Sequence, residues 1–242
     1  MRLILLFLFS IGVAYGQPGR ELTVGYADRY DSLPTIKFQI VGKQLYDGAV
    51  PTSKMVFTNA EVELDTLIIA TAKGRITFRK YDDSLENGEG FQGCQYMGYF
   101  PSLQMHALVS HDVSEHIGFS DMVLLDSATS NQYGIVSVGD AAVELPIPSP
   151  DGHFTAYYYN HVYERNSCFI GILAVLNGKH RLAERMSFQT KDWAVEDIRW
   201  IDANSFVVKA YTLLGQGVQQ SRQYTYYRAR LDTGKKTDDR TK

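Results

Sequence analysis

Apolar and polar residues alternate along most of this chain. From Thr35 to Val41, Ile36, Phe38 and Ile40 fall on one side and Lys37 and Gln39 on the other. A period of two is that of a half-buried strand. Leu22–Tyr26 and Met55–Phe57 read as shorter strands. Glu61–Thr71 and Arg75–Tyr81 read as a hairpin turning at Ala72-Lys73-Gly74, followed by a polar, acidic loop from Asp82 to Gly90. Strands are then expected at Cys94–Tyr99, Leu103–Val109, Asp121–Asp126 and Tyr133–Val138, with His111–Gly118 as a polar loop. A second set is Val143–Ile147, His153–Tyr159, Phe169–Leu176 and Leu182–Phe188. The last is Val195–Ile201, Ser205–Tyr211 and Gln223–Leu231.

These strands recur in units. Pro101-Ser102, Pro150-Asp151-Gly152 and Asp202-Ala203-Asn204 occupy equivalent turns. The alignment places Met105, Phe154 and Phe206 in one column and Ala107, Ala156 and Val208 in the next, with offsets of 49 and 52 residues. A second marker, Leu125-Asp126, Leu176-Asn177-Gly178-Lys179 and Leu231-Asp232-Thr233-Gly234-Lys235, repeats at 51 and 55. Periods of roughly 40 to 50 residues belong to propeller-type repeats. A four-stranded meander has two apolar faces, and stacking such units buries both. The last unit stops after its third strand, so Leu22–Tyr26 or Thr35–Val41 is expected to complete it from the other terminus.

One turn carries a resemblance. Ser149-Pro150-Asp151-Gly152, within Ile147–Asn160, has Pro to preset one backbone angle and Gly for a positive φ. It resembles the Ser-Pro-Asp-Gly turn of TolB-type, WD-like β-propeller repeats. The resemblance covers about residues 91 to 234 and implies an all-β fold, a small propeller-like stack of antiparallel meanders. The alternative is an open or sandwich-like stack of the same units. It implies nothing about function.

The N-terminus changes the picture of where the chain works. Arg2, the apolar run Leu3–Phe9 and Ala14-Tyr15-Gly16 read as a secretory signal peptide spanning residues 1–16. The run is too short to span a bilayer. Residues 17–231 then form one all-β repeat domain, and 232–242 a disordered charged tail. Removing the signal takes away Arg2 alone from 24 Lys+Arg, leaving 23 against 27 Asp+Glu and a formal net charge of −4. With no clustered basic stretch along the sequence, nucleic acid is not expected as a partner. Cys94 and Cys168 are the two cysteines. In an exported chain they form one disulfide or stay as two buried thiols.

Candidate chemistry is sparse. No nucleophile elbow, phosphate-binding loop, zinc-protease motif or calcium loop occurs. His106, His111, Asp112, Glu115 and His116 are the one concentration of ligand-type residues. The three histidines are weak metal candidates, and no metal or other cofactor is expected. Asp151 and His153 are conceivable as a pair, although Asp151 is more simply a turn cap. Tyrosines abound, and Tyr157, Tyr159 and Tyr163, with His153, are the candidate binding residues. Tyr157 and Tyr159 belong either to an exposed aromatic surface or to a seam between units. The expectation is an exported, periplasmic or extracellular, non-catalytic binding module for a protein partner or cell-wall glycan. A hydrolase with a loop-assembled site and a structural subunit of an envelope assembly are the alternatives.

Overall fold

A computed structural model describes residues 19–25, 31–49, 55–57, 60–83, 88–137, 139, 141–176, 178, 180–215 and 220–231. The expected signal peptide and charged tail lie outside the described residues. The fold is all-β. The strands are β1 (Glu21–Val24), β2 (Phe38–Val41), β3 (Ala60–Glu63), β4 (Thr66–Thr71), β5 (Gly74–Arg79), β6 (Gln92–Phe100), β7 (Met105–Ser114) and β8 (Ile117–Asp126). They continue as β9 (Gln132–Ile135), β10 (Ile147–Pro148), β11 (Phe154–Asn160), β12 (Cys168–Leu176), β13 (Arg181–Thr190), β14 (Ala194–Asp202), β15 (Ser205–Leu214) and β16 (Ser221–Arg230). A short helix, α1, covers Lys43–Asp47. Among the described residues no helix is long and apolar enough to cross a membrane.

Four sheets form among the described residues, ordered β3-β4-β5, β1-β9-β8-β7-β6, β10-β11-β12-β13 and β14-β15-β16-β2. We number them one to four along the stack. Successive side chains on a strand point to opposite faces, and here both faces of the inner sheets are apolar. Leu67, Ile69 and Ile76 of sheet one meet Leu108 and Leu125 of sheet two. Met105, Ala107, Leu124 and Tyr133 on the other face of sheet two meet Tyr157, Phe169, Leu173 and Leu182 of sheet three. Ala156, Ile170 and Ile172 on the far face of sheet three meet Ile198, Trp200, Phe206 and Val208 of sheet four. Phe169 and Ile170 are adjacent, and each is fully buried in a different seam. Burying side chains of this size contributes about 1.5–3 kcal/mol each, and sheet three collects that gain on both sides. Tyr46 and Ala49, in and just after α1, cover Val207 on the outer face of sheet four.

The termini complete the sheets. β2 pairs antiparallel with β16, so part of the predicted Thr35–Val41 strand supplies the fourth strand of the last unit. β1 runs parallel to β9 at the edge of sheet two. No sheet closes into a propeller; the described units make a stack of antiparallel sheets.

Three expectations are corrected. Glu61–Thr71 is two strands, because Leu64, at φ 55°, turns the chain between β3 and β4. His111–Gly118 is a hairpin end and not a loop. β7 and β8 run on to Glu115 and His116, whose φ values of 52° and 62° form a tight two-residue turn. The third repeat column slips by one residue. Phe206 and Val208 sit in the same seam as Phe154 and Ala156, facing them from the opposite sheet. A one-residue shift sends a side chain to the other face, and Ser205, 51 residues after Phe154, is the true equivalent. Of the two states left open for the cysteines, Cys94 and Cys168 take that of free thiols, Cys168 buried and Cys94 half-buried. Cys168 belongs to the seam of sheets three and four, and Cys94 packs at that of sheets one and two.

Candidate functional site

The predicted binding residues separate. Tyr157 and Tyr159 are buried in the seam of sheets two and three, at 1% and 6% exposure. They are seam residues, not an exposed surface. The cause is the alternation of β11: its odd positions face sheet two and its even positions face sheet four. Tyr163 is exposed beside Val162. Two tyrosines of sheet four lie under their own cations, Tyr211 beneath Arg222 at 4.3 Å and Tyr224 beneath Lys209 at 4.2 Å, so their faces are occupied.

His153 belongs to the Ser149–Gly152 turn. Ser149 Oγ donates to Asp151 Oδ1 at 2.6 Å, and His153 Nδ1 lies 2.7 Å from Asp151 Oδ2. Asp151 also accepts from the His153 backbone N–H, and Ser149 Oγ accepts from that of Phe154. Serine, aspartate and histidine meet here, but in the wrong order for nucleophilic catalysis. The base must touch the nucleophile, whereas this hydroxyl gives its proton to the carboxylate and is 1% exposed. Burial opposes ionisation of Asp151, yet the bonds from Ser149 and His153 outweigh it and hold the carboxyl below its usual range. Gly152, at φ 69°, supplies the positive φ that the turn needs.

The three histidines considered as metal ligands are held apart. His106 is buried on β7 with Nδ1 3.1 Å from Tyr96 Oη, and burial pushes its pKa down to about 4. His111 stacks on Tyr81 at 3.6 Å between centroids, with Nδ1 3.0 Å from Ser120 Oγ. Burial lowers its pKa against the opposing pull of Asp112. His116 lies at the hairpin tip, where Glu89 accepts the backbone N–H groups of Glu115 and His116. No group of three His, Cys, Asp or Glu side chains placed to hold a metal occurs among the described residues.

The arrangement with binding geometry was not visible in any motif. It is a cleft of about 810 Å³ between the edges of sheets three and four. Its described lining comprises Pro34, Thr35, Lys37, Phe38, Gln39, Arg185, Met186, Arg228 and Arg230. The segment 34–38 bridges the two sheets and forms one wall. At one end Ile36 N–H donates to Ser187 O and Ser187 N–H to Pro34 O. At the other, Phe38 pairs with Ala229 and Gln39 with Arg228. Phe38 is anchored by edge-on contacts to Phe188 at 4.7 Å and Trp193 at 5.7 Å. On β13 the register slips between Ile172 and Leu173, which pair with Met186 and Glu184 and leave Arg185 as the bulged residue. Such bulges re-aim a side chain at a sheet edge, here into the cleft. The sequence signal was diffuse: Lys37, Arg185, Arg228 and Arg230 lie on three segments nearly 200 residues apart.

A second concavity, about 490 Å³, lies between sheets one and two and is lined in part by Phe57, Val62, Leu67, Lys80, Cys94 and Tyr96. Its lysine lies 4.0 Å from Asp82, so its charge is already answered. Comparison with family models, curated proteins and solved structures finds no match to this chain.

Proposed function

We propose that this chain is an exported, non-catalytic binding module, built of propeller-type meander units, that takes its ligand in the cleft between sheets three and four. The observation that carries the reading is the cleft. Its volume falls in the range that holds drug-sized ligands, and it combines a few apolar residues with convergent polar groups. The bridging segment is tied to β13 by backbone hydrogen bonds at one end and pairs with β16 at the other, so the site is preorganised and little ordering entropy is lost on binding. The Ser149–His153 cluster supports this reading too, since its hydrogen bonds are those of a turn cap. A protein or glycan surface at the exposed Val162-Tyr163 tip is the second reading.

The test uses the mature chain, residues 17–242, mixed with desalted envelope extract of its native cells and analysed by native mass spectrometry. Thr35 is exposed and holds the bridging segment through backbone contacts, so Thr35→Trp fills the cleft without disturbing the fold. The expected result is a ligand mass on the wild type that Thr35→Trp loses. No bound mass, or one that Thr35→Trp retains, overturns the cleft as the binding site.

A further inference from the structure

The described lining of the cleft carries Lys37, Arg185, Arg228 and Arg230 and not one carboxylate. The chain as a whole has more acids than bases, so this clustering does not follow from composition. Elsewhere many exposed and half-exposed cations are answered, although Lys73, Arg79 and Arg181 form no ion pair among the described residues. Arg75 pairs with Glu61, Arg199 with Asp197, Lys191 with Glu164, and Lys209 and Arg222 both with Glu196. Among the described residues, Lys37, Arg228 and Arg230 form no ion pair. The acid that senses Arg228 is Asp202, whose two oxygens are taken by Ser205 Oγ and the Asn204 N–H.

The backbone register brings these charges together. Gln39 stands opposite Arg228 and Phe38 opposite Ala229. The ladder ends at that pair, and Lys37 and Arg230 are the next residue of each segment. Arg228 and Arg230 share a face of β16, roughly 7 Å apart along the strand. Like charges gathered around one cleft repel one another. Arg228 Nε is also buried with no hydrogen-bond partner, and leaving a buried donor unpaired is unfavourable. A cleft that gathers cations, has no carboxylate in its described lining and holds a buried donor without a partner calls for an anion.

We propose that the cleft binds a small organic polyanion, a molecule with at least two carboxylate or phosphate groups on a partly apolar body. This rests on the cleft being the binding site. Several unanswered cations call for more than one negative charge. Arginine forks match planar or tetrahedral oxyanions in a bidentate manner. Phe38, Met186 and Pro34 supply an apolar surface for the body, and about 810 Å³ is more room than a lone inorganic ion fills.

The test is titration calorimetry and thermal melting of residues 17–242 with benzene-1,3,5-tricarboxylate and inorganic pyrophosphate, against acetate as the single-charge control. The polyanions are expected to bind and to raise the melting temperature, acetate to do neither, and affinity to fall with added salt. Arg228→Gln and Lys37→Gln are expected to weaken the polyanions by about tenfold each, and Arg75→Gln to leave them unchanged. Without ligand, Arg228→Gln melts no lower than the wild type, because it removes a buried Nε donor that has no partner. A variant that loses binding but keeps its melting temperature therefore reports on the site. Failure of both polyanions to bind, or equal binding by Arg228→Gln, overturns the proposal. A neutral ligand recovered from extract and lost in Thr35→Trp overturns the polyanion class while the cleft remains the binding site. No ligand dependent on Thr35 overturns both.

Discussion

Gly171 is where packing on both sides of a sheet becomes quantitative. It stands opposite Tyr157 in the β11–β12 ladder, and the tyrosine ring lies across it. A Cβ at this position would be 2.2 Å from Tyr157 Cζ, 2.4 Å from its Oη and 2.6 Å from Cε1. Tyr157 is 1% exposed and packed on Phe169 at 5.9 Å between centroids, so the ring has nowhere to retreat. Two effects compete in Gly171→Ala. Restricting the unfolded chain favours the variant by about 0.4–1 kcal/mol. Overpacking a closed core costs about 1–3 kcal/mol. The overlap involves three ring atoms well inside contact distance, so the second effect wins, for a net loss of about 1–2 kcal/mol. In a domain of this size each kcal/mol moves Tm by about 2–4 °C, so Tm falls by about 2–8 °C. Thermal unfolding followed by circular dichroism measures this, with Gly134→Ala as the comparison. Gly134 lies in β9 with nothing within 4 Å of a built Cβ, and its substitution leaves Tm unchanged or raises it. If Gly171→Ala melts at or above the wild type, the account of a ring seated on glycine is refuted.

Three further outcomes follow from the same structure. His106 has a folded pKa of about 4 against about 6.5 in the unfolded chain. The unfolded state therefore binds the extra proton first, and stability present above pH 6.5 is lost as pH falls toward 4, by about 3 kcal/mol at 1.36 kcal/mol per pH unit. His106→Gln flattens that slope in urea titrations at a series of pH values; an unchanged slope refutes it. Trp200→Phe removes the Nε1 donor held 2.8 Å from Ile147 O and opens space beside Phe206. It is expected to cost about 2 kcal/mol, or roughly 4–8 °C in Tm, and an unchanged Tm sinks the assignment. Burial pushes the Cys94 thiol up to about 11 and the Cys168 thiol higher still. A thiol reagent at pH 8 is expected to find no reactive group in the folded chain and two after denaturation. Fewer than two after denaturation would mean that the cysteines are paired.

Much of the strand order was legible, for physical reasons. The two-residue period exposed the β7–β8, β11–β12–β13 and β14–β15–β16 meanders, because side chains on a strand must alternate whatever the sheet packs against. The turn at Pro150-Asp151-Gly152 was readable because its proline, carboxylate and positive-φ glycine act within five residues. The short β10 and the split at Leu64 were not readable, since both depend on which neighbours compete for the backbone. The tyrosines of β11 illustrate the limit: alternation assigned Tyr157 and Tyr159 to one face, but both faces of that strand are covered. The histidines likewise looked concentrated in sequence, while the β7–β8 pairing sends His106, His111 and His116 to separate partners.

What the sequence determined by itself was local: strand period, turn chemistry, the spacing of the units and the expectation that a terminal strand would complete the last one. These rest on interactions within a few residues or on a simple repeat. The tertiary structure alone decided which terminal strand went where, with β2 on β16 and β1 on β9, and that the cysteines stay apart in two seams. It alone brought Lys37, Arg185, Arg228 and Arg230 to one cleft. Those outcomes depend on register between segments far apart in the chain and on a single bulged residue, and register is settled only when two sheet faces compete to be buried.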